Sequence, residues 1–340
     1  MKPYLYPGIN IPTIFQFVFF LILSSCNTFS DSKKTTTDSI SLVPSKPVID
    51  SSDYAKRMDK MANGDTTGKW KFSGLYPKAG AILPFKRVIA YYGNFYSTKM
   101  GILGELPKNQ MFARLKQEVN AWQKADTSTP VIPALHYIVT TAQGSPGSSG
   151  KYRLRMPDSE IDKVIAMAKE INAIVFLDIQ VGLSSLREEI PVIEKYLKLP
   201  SVHLGIDPEF SMKGGQKPGS VIGSFNAADI NYAAGYLANL VKKYDLPPKI
   251  LVVHRFTQGM VKDYKQIKIL PEVQYVIDMD GWGSPAKKIN TYKLFAYKEP
   301  VQFTGFKLFY KNDLKESPYR LLTINELLAL KPIPLYIQYQ

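Results

Sequence analysis

Residues 173–209 read AIVFLDIQVGLSSLREEIPVIEKYLKLPSVHLGIDPE. Two apolar runs of strand length, Ala173–Gln180 and Val202–Glu209, flank a segment in which Leu186, Ile190, Ile193 and Leu197 recur at helical spacing. The runs are continuously apolar rather than alternating, as expected of parallel strands covered on their outer faces. This is one strand–helix–strand unit, and both strands end in acid: Asp178 in the first, Asp207 and Glu209 in the second.

The same unit repeats on either side. Further runs at Arg87–Gly93, Val131–Thr140, Lys249–Phe256, Val273–Asp280, Gln302–Tyr310 and Pro334–Tyr339 bring the strands to eight. Between them, Phe112, Leu115, Val119 and Trp122 form a helical stripe, as do Ile161, Val164, Ile165 and Ala168. Ile230, Ala234, Leu237 and Val241 follow Asn226, a good N-cap, and Thr323 with Glu326 makes a capping-box pair ahead of Leu327, Leu328 and Leu330. The helical pattern is weakest between the fifth and sixth runs. Eight strands alternating with helices over about 250 residues predict an α/β fold, a closed TIM-type (β/α)8 barrel spanning 86–340. An open doubly wound sheet is the alternative. The chain ends on the eighth strand, so the last helix is missing or replaced. A short helix at Asp53–Met61, inside an extension over 51–85 that packs on the barrel, is the candidate to cover that side or the floor.

Upstream, the single cysteine, Cys26, excludes an intrachain disulfide framework and any CxxC metal site. The apolar run Ile14–Leu23 is short for a membrane span and suits the core of an export signal over 1–25. Lys2 is the only basic residue ahead of it, and Gln16 interrupts it. Residues 26–50 are rich in Ser, Thr, Asp and Lys and read as a flexible tether. The net charge of +14 would favour anionic surfaces such as lipid headgroups, acidic polysaccharide or nucleic acid. However, the basic residues are scattered (Lys242 and Lys243; Lys262, Lys265 and Lys268; Lys287 and Lys288) and read as a solvated helical ring. No RNA-binding signature, zinc finger or basic heptad is present, so no nucleic-acid partner is expected.

Active sites of such barrels lie at the C-terminal ends of the strands. In order, those ends carry Tyr91 and Tyr92 (with Glu105 in the following loop), His136 and Tyr137, Asp178 and Gln180, Asp207 and Glu209, His254, Asp278 and Asp280, Lys307, then Gln338 and Gln340. A buried carboxylate costs several kcal/mol unless paired or functional, so acids at matching positions of apolar strands point to a site. Residues two apart share a strand face, which would pair Asp207 with Glu209, Asp178 with Gln180 and Asp278 with Asp280. Acids crowded into one lumen push their pKa values apart, giving a proton donor and an ionised partner, as glycoside hydrolysis requires. Glu209, Asp207, Asp280 and Asp178 are the catalytic candidates. Tyr92, Glu105, His136, His254, Trp282, Lys307 and Gln338 are the substrate-binding candidates. Tyr91, Tyr96 and Tyr152 are aromatic residues able to stack on sugar rings. His203, near a strand's beginning, reads as structural. The Gly- and Ser-rich segment Ala142–Tyr152 has no phosphate-cradle pattern and reads as a mobile wall of the cleft.

Three resemblances add to this. Leu23-Ser24-Ser25-Cys26 resembles the lipobox of bacterial lipoprotein precursors, which implies cleavage before Cys26, its lipidation and a membrane-anchored place in the cell envelope. Gly205-Ile206-Asp207-Pro208-Glu209 is similar to the end of the catalytic motif of chitinase-type glycosidases. By that resemblance Glu209 is the general acid and Asp207 its helper, although the family's two earlier aspartates fall here at Val202 and Gly205. Lys307 stands where two-glutamate glycosidases carry their seventh-strand nucleophile. The barrel as a whole looks like a group of uncharacterised bacterial lipoproteins, on Tyr92-Gly93, Gly104-Glu105-Leu106, Asp207-Pro208-Glu209, Met279-Asp280-Gly281 and the run Gly305 to Tyr310.

The leading expectation is an exported, lipid-anchored hydrolase of a polysaccharide or cell-wall glycan, needing no cofactor. The alternatives are a glycan-binding barrel without catalysis, and a metal-assisted or phosphodiester hydrolase using Asp178, Glu209, Asp280 and His254. Among three histidines no HExxH and no close His cluster appears, so the leading expectation includes no metal site. Substrate identity, stereochemical outcome and oligomeric state stay open at this level.

Overall fold

The computed structural model describes residues 49–72 and 74–340. Cys26, the export signal and all but the last two residues of the tether lie outside the described residues. Among the described residues no helix is long and apolar enough to cross a membrane.

The strands are β1 (Arg87–Gly93), β2 (Val131–Ala142), β3 (Ile174–Ile179), β4 (Val202–Ile206), β5 (Lys249–Arg255), β6 (Val273–Met279), β7 (Phe303–Leu308) and β8 (Tyr336–Tyr339). Each pairs in parallel with the next. β1 also pairs with β8, from Val88↔Tyr336 to Tyr91↔Tyr339, which closes the barrel and excludes the open sheet. Two strand ends differ from expectation. β2 runs on to Ala142 and pairs antiparallel with a short strand, Arg153–Arg155, so the Gly- and Ser-rich segment closes a hairpin. β4 stops at Ile206, because Pro208 has no N–H to offer a ladder and the chain turns into one 3-10 turn, Pro208–Phe210.

The long helices are α1 (Ser51–Ala62), α2 (Lys108–Ala125), α3 (Asp158–Glu170), α4 (Ala227–Tyr244) and α5 (Pro285–Tyr292). α2 buries Met111, Leu115 and Trp122, and α3 buries Ile161, Val164, Ile165 and Ala168. α4 opens on a complete capping box between Asn226 and Asp229, and the short helix Ile324–Leu328 opens on another between Thr323 and Glu326. After β3 the stripe is broken into two single turns joined by a 3-10 turn that begins at Ile190-Pro191. Between β5 and β6 only 3-10 turns and a two-residue strand, Val261–Lys262, form.

Alternation divides the strands between two cores, with β4 alone turning only His203 and Gly205 to the inside. Ile89, Tyr91, Leu135, Val175, Leu204, Val253, Ile277 and Phe306 face the helical ring. Val88, Ala134, Phe176, Ile250, Val252, Val276, Phe303 and Tyr336 fill the lower lumen. α1, started by Asp50 accepting hydrogen bonds from the Ser52 and Asp53 N–H groups, adds Tyr54, Met58 and Met61 to that second core. It therefore plugs the floor, each of these side chains contributing about 1.5–3 kcal/mol of burial.

Candidate active site

Above the apolar floor the inward residues turn polar. Strand register sets Tyr92 beside His136, Asp178 beside Gly205, His254 beside Asp278, and Lys307 beside Gln338. Asp178, His136, His254, Asp278 and Gln338 are fully buried. Two luminal glycines make room for them. A Cβ on Gly205 would lie 2.4 Å from Asp178 Oδ1 and 2.5 Å from His136 Nε2, and one on Gly305 would lie 2.6 Å from Asp278 Oδ1.

His254 is the hub. Its Nε2 lies 3.4 Å from Asp178 Oδ1, and its Nδ1 lies 3.3 Å from Asp278 Oδ2 and 3.2 Å from Asp280 Oδ2. Asp280 reaches on to Lys307, whose Nζ is 2.9 Å from Oδ1 and sits 3.9 Å from the centre of the Tyr92 ring. Tyr92 donates its hydroxyl to Asp178 Oδ2 at 3.0 Å. His136 Nδ1 meets the Tyr336 hydroxyl at 2.5 Å, and the Gln338 amide donates to that hydroxyl at 2.7 Å. Burial disfavours a charge on His136 and lowers its pKa to about 4. Burial works the same way on His254, but Asp178, Asp278 and Asp280 outweigh it and raise its pKa well above the ordinary value.

This network floors a cleft of about 650 Å³ at the barrel mouth, lined by Tyr92, Asp207, Glu209, Asp280, Lys307 and Trp282 among others. Asp207 and Glu209 both line it, but not by strand alternation. Asp207 Oδ1 accepts the Glu209 N–H at 3.0 Å and caps the turn, while Oδ2 takes the Gln180 amide at 3.3 Å. The Glu209 carboxyl makes no hydrogen bond or ion pair with another described residue. Burial, with the negative charge of Asp280 nearby, raises its pKa to about 7. Burial also raises Asp207 well above the usual carboxylate range. For Asp280, burial alone would do the same, but Lys307 and His254 hold it below that range.

The other candidates divide. Trp282 stands on the rim, 45% exposed, with Lys287 Nζ 4.8 Å from its ring centre. His136, His254, Gln338 and Asp178 lie fully buried beneath the cleft, because they face inward at a level of the barrel below its lining residues. Glu105 ends a one-turn helix, Ile102–Glu105, and pairs with Lys311 at 2.7 Å instead of lining the cleft. Tyr91 points outward against Tyr310 and Tyr339, and Tyr96 and Tyr152 are not cleft residues. His203 accepts the Ile250 N–H at 3.0 Å, a structural task. Of the metal set read from sequence, Glu209 stands apart. The donors that do converge are His136, Asp178 and His254, whose ligating atoms lie within 4.8 Å of one another.

Sequence reasoning missed Phe256, Phe309 and Phe210, all of which line the cleft, whereas Ala142 and Gln143 line it from the segment read as its wall. Phe256 and Phe309 each lie one residue past a strand, a position that could have flagged them. A buried clamp went unnoticed too. Lys288 of α5 donates to Asp313 Oδ2 at 2.5 Å and to the Lys307 carbonyl at 2.8 Å. Asp313 accepts the N–H groups of Gly283 and Phe309, tying the loop after β6 to the end of β7.

No family model and no curated protein matches this chain. Similar solved structures include 2,3-dimethylmalate lyase, a PEP mutase/isocitrate lyase superfamily member, at 8% identity, covering 76% of this chain and 77% of that one, TM-score 0.40. A GH5-4 broad-specificity endoglucanase from Clostridium longisporum matches at 10% identity over 60% and 71%, TM-score 0.35. A ruminal GH26 endo-β-1,4-mannanase matches at 13% over 75% and 59%, TM-score 0.33. Scores this low leave the chemistry to be argued from the site's own residues.

Proposed function

We propose that the cleft hydrolyses a glycan, with Glu209 as general acid and Asp280 as the ionised partner. The supporting observation is the sharing of one open cleft by two unlike carboxyls. Glu209 is unpaired and half-buried, whereas Asp280 is ion-paired to Lys307, and Trp282 and Phe256 offer aromatic surface beside them. In this reading Glu209 gives its proton to the glycosidic oxygen, and Asp280 stabilises the oxocarbenium-like transition state or activates water. Asp207, as in the chitinase-type resemblance, assists from beneath Glu209. The lipobox resemblance at Cys26 supports a lipid anchor in the cell envelope, beside such a polymer.

The test is reducing-sugar release from a panel of polysaccharides and peptidoglycan by the full-length protein, beside Glu209→Gln and Asp280→Asn. Release that both variants lose supports the assignment. Release unchanged in Glu209→Gln refutes it, and polymer retention without release, abolished by Trp282→Ala, makes the barrel a binding module. Incorporation of labelled fatty acid in cells, lost in Cys26→Ser, tests the anchor.

A further inference from the structure

Among the buried polar atoms beneath the cleft that have no hydrogen-bond partner are His136 Nε2, His254 Nε2, Asp178 Oδ1 and His254 Nδ1, with both oxygens of Asp278 and Gln338 Oε1 beside them. The first three face one another, with Asp178 Oδ1 lying 3.4 Å from each imidazole Nε2. That is long for a hydrogen bond between an imidazole and a carboxylate. It is the separation of two donors on one tetrahedral ion, since bonds of about 2.1 Å place their ends roughly 3.4 Å apart.

We propose that His136, Asp178 and His254 hold one divalent transition-metal ion in the barrel lumen, beneath the cleft. Two imidazoles and one carboxylate suit zinc, cobalt or iron(II) rather than magnesium or calcium, which favour all-oxygen shells. The surroundings fit. His254 Nδ1 points at Asp278 and Asp280, so a proton there leaves the Nε2 lone pair for the metal, the usual carboxylate–histidine–metal arrangement. His136 Nδ1 meets the Tyr336 hydroxyl, and the tautomer in which Nδ1–H donates to that oxygen would leave Nε2 free in the same way. Gly205 is the only residue type that leaves the space open, because any Cβ there would lie within 2.5 Å of two of the donors. Asp178, Asp278 and Asp280 crowd the buried lumen with carboxyl groups that only Lys307 and His254 face, and a divalent cation held on neutral imidazoles would supply the positive charge in place of an imidazolium. The second oxygen of Asp178 accepts the Tyr92 hydroxyl, so the ion also fixes a residue of the cleft. The donors lie below the catalytic pair and touch it at one point, where His254 Nδ1 meets Asp280, so the metal is tested by readouts that need no glycan chemistry.

The full-length protein, stripped with chelator and dialysed, is titrated with Co2+ and with Zn2+. Expected are one ion retained per chain by elemental analysis, visible d–d absorption of the Co2+ form, and a Tm that rises with metal concentration. Asp178→Asn, His254→Asn and Gly205→Ala should each weaken retention by at least about tenfold, while Glu105→Gln on the outer surface keeps the full equivalent. Should those lumen variants fail to fold, the Tm response and the Co2+ spectrum of the wild type still decide. A wild type that retains no ion and shows no Tm response overturns the site and leaves His254 as a buried imidazolium among three carboxylates. Retention equal in wild type and Asp178→Asn places the ion elsewhere and overturns it as well. None of these readouts needs a substrate, so failure here and failure of the glycan reading are separable.

Discussion

Glu209 sits one residue past Pro208, in a turn rather than on a strand, and this leaves its carboxyl unpaired at the edge of the cleft. With a pKa raised to about 7 by burial and by Asp280, it still carries its proton at slightly acid pH. A general acid works protonated, so kcat/KM should fall as pH rises through about 7, and pH–rate profiles check this. Glu209→Gln should lower kcat by about 10²–10⁴-fold on any substrate whose leaving group needs protonation. The same proton is linked to folding. Its folded pKa lies above the unfolded one, so its contribution to stability is complete below the unfolded value of about 4.5 and is lost as pH rises through about 7. Tm measured against pH should decline over that window in the wild type, and less so in Glu209→Gln.

At the scale of elements, the loops that shape the cleft are held by buried polar anchors rather than by apolar contacts. Lys288 and Asp313 have almost no exposed surface, and together they fix the loop after β6 and the end of β7. Lys288→Met should destabilise the fold by about 3–5 kcal/mol, because it leaves Asp313 buried without its cation. Chemical denaturation measures that loss, and a raised KM alongside would show that the Trp282 rim had loosened. Asn226 works on a smaller scale. It accepts the Asp229 N–H at 3.0 Å and starts α4, so Asn226→Ala should cost about 1 kcal/mol, read from the same denaturation curves.

At the scale of the whole fold, the described residues form a closed barrel plugged from below. α1 buries its apolar surface against the floor of the barrel rather than flanking β8 and β1. Tyr54 is its deepest residue, packed edge-on against Phe72 and Tyr76. Tyr54→Ala should lower stability by about 3–5 kcal/mol through the cavity it leaves, moving the urea midpoint without altering the slope. Because the floor lies at the opposite end from the cleft, kcat of the folded fraction should not change.

By itself the sequence determined the class of fold. Continuous apolar runs, helical stripes and the caps at Asn226 and Thr323 are local signals, and all eight strands sit where those runs lie. It also determined that Asp178 and Lys307 would turn inward near one end, because parity within a strand is a property of position alone. Only tertiary structure decided depth. Whether an inward residue reaches the cleft or stays beneath it depends on barrel stagger, and this is why His136, His254 and Gln338 fell below the site, whereas Glu105, on a loop helix, was drawn outside it by Lys311. Pairings far apart in the chain were equally invisible, as with Lys288 and Asp313. The meeting of His136, Asp178 and His254 belongs to this kind, for it depends on three strands closing around Gly205, whose missing side chain carries no signal until its neighbours are known.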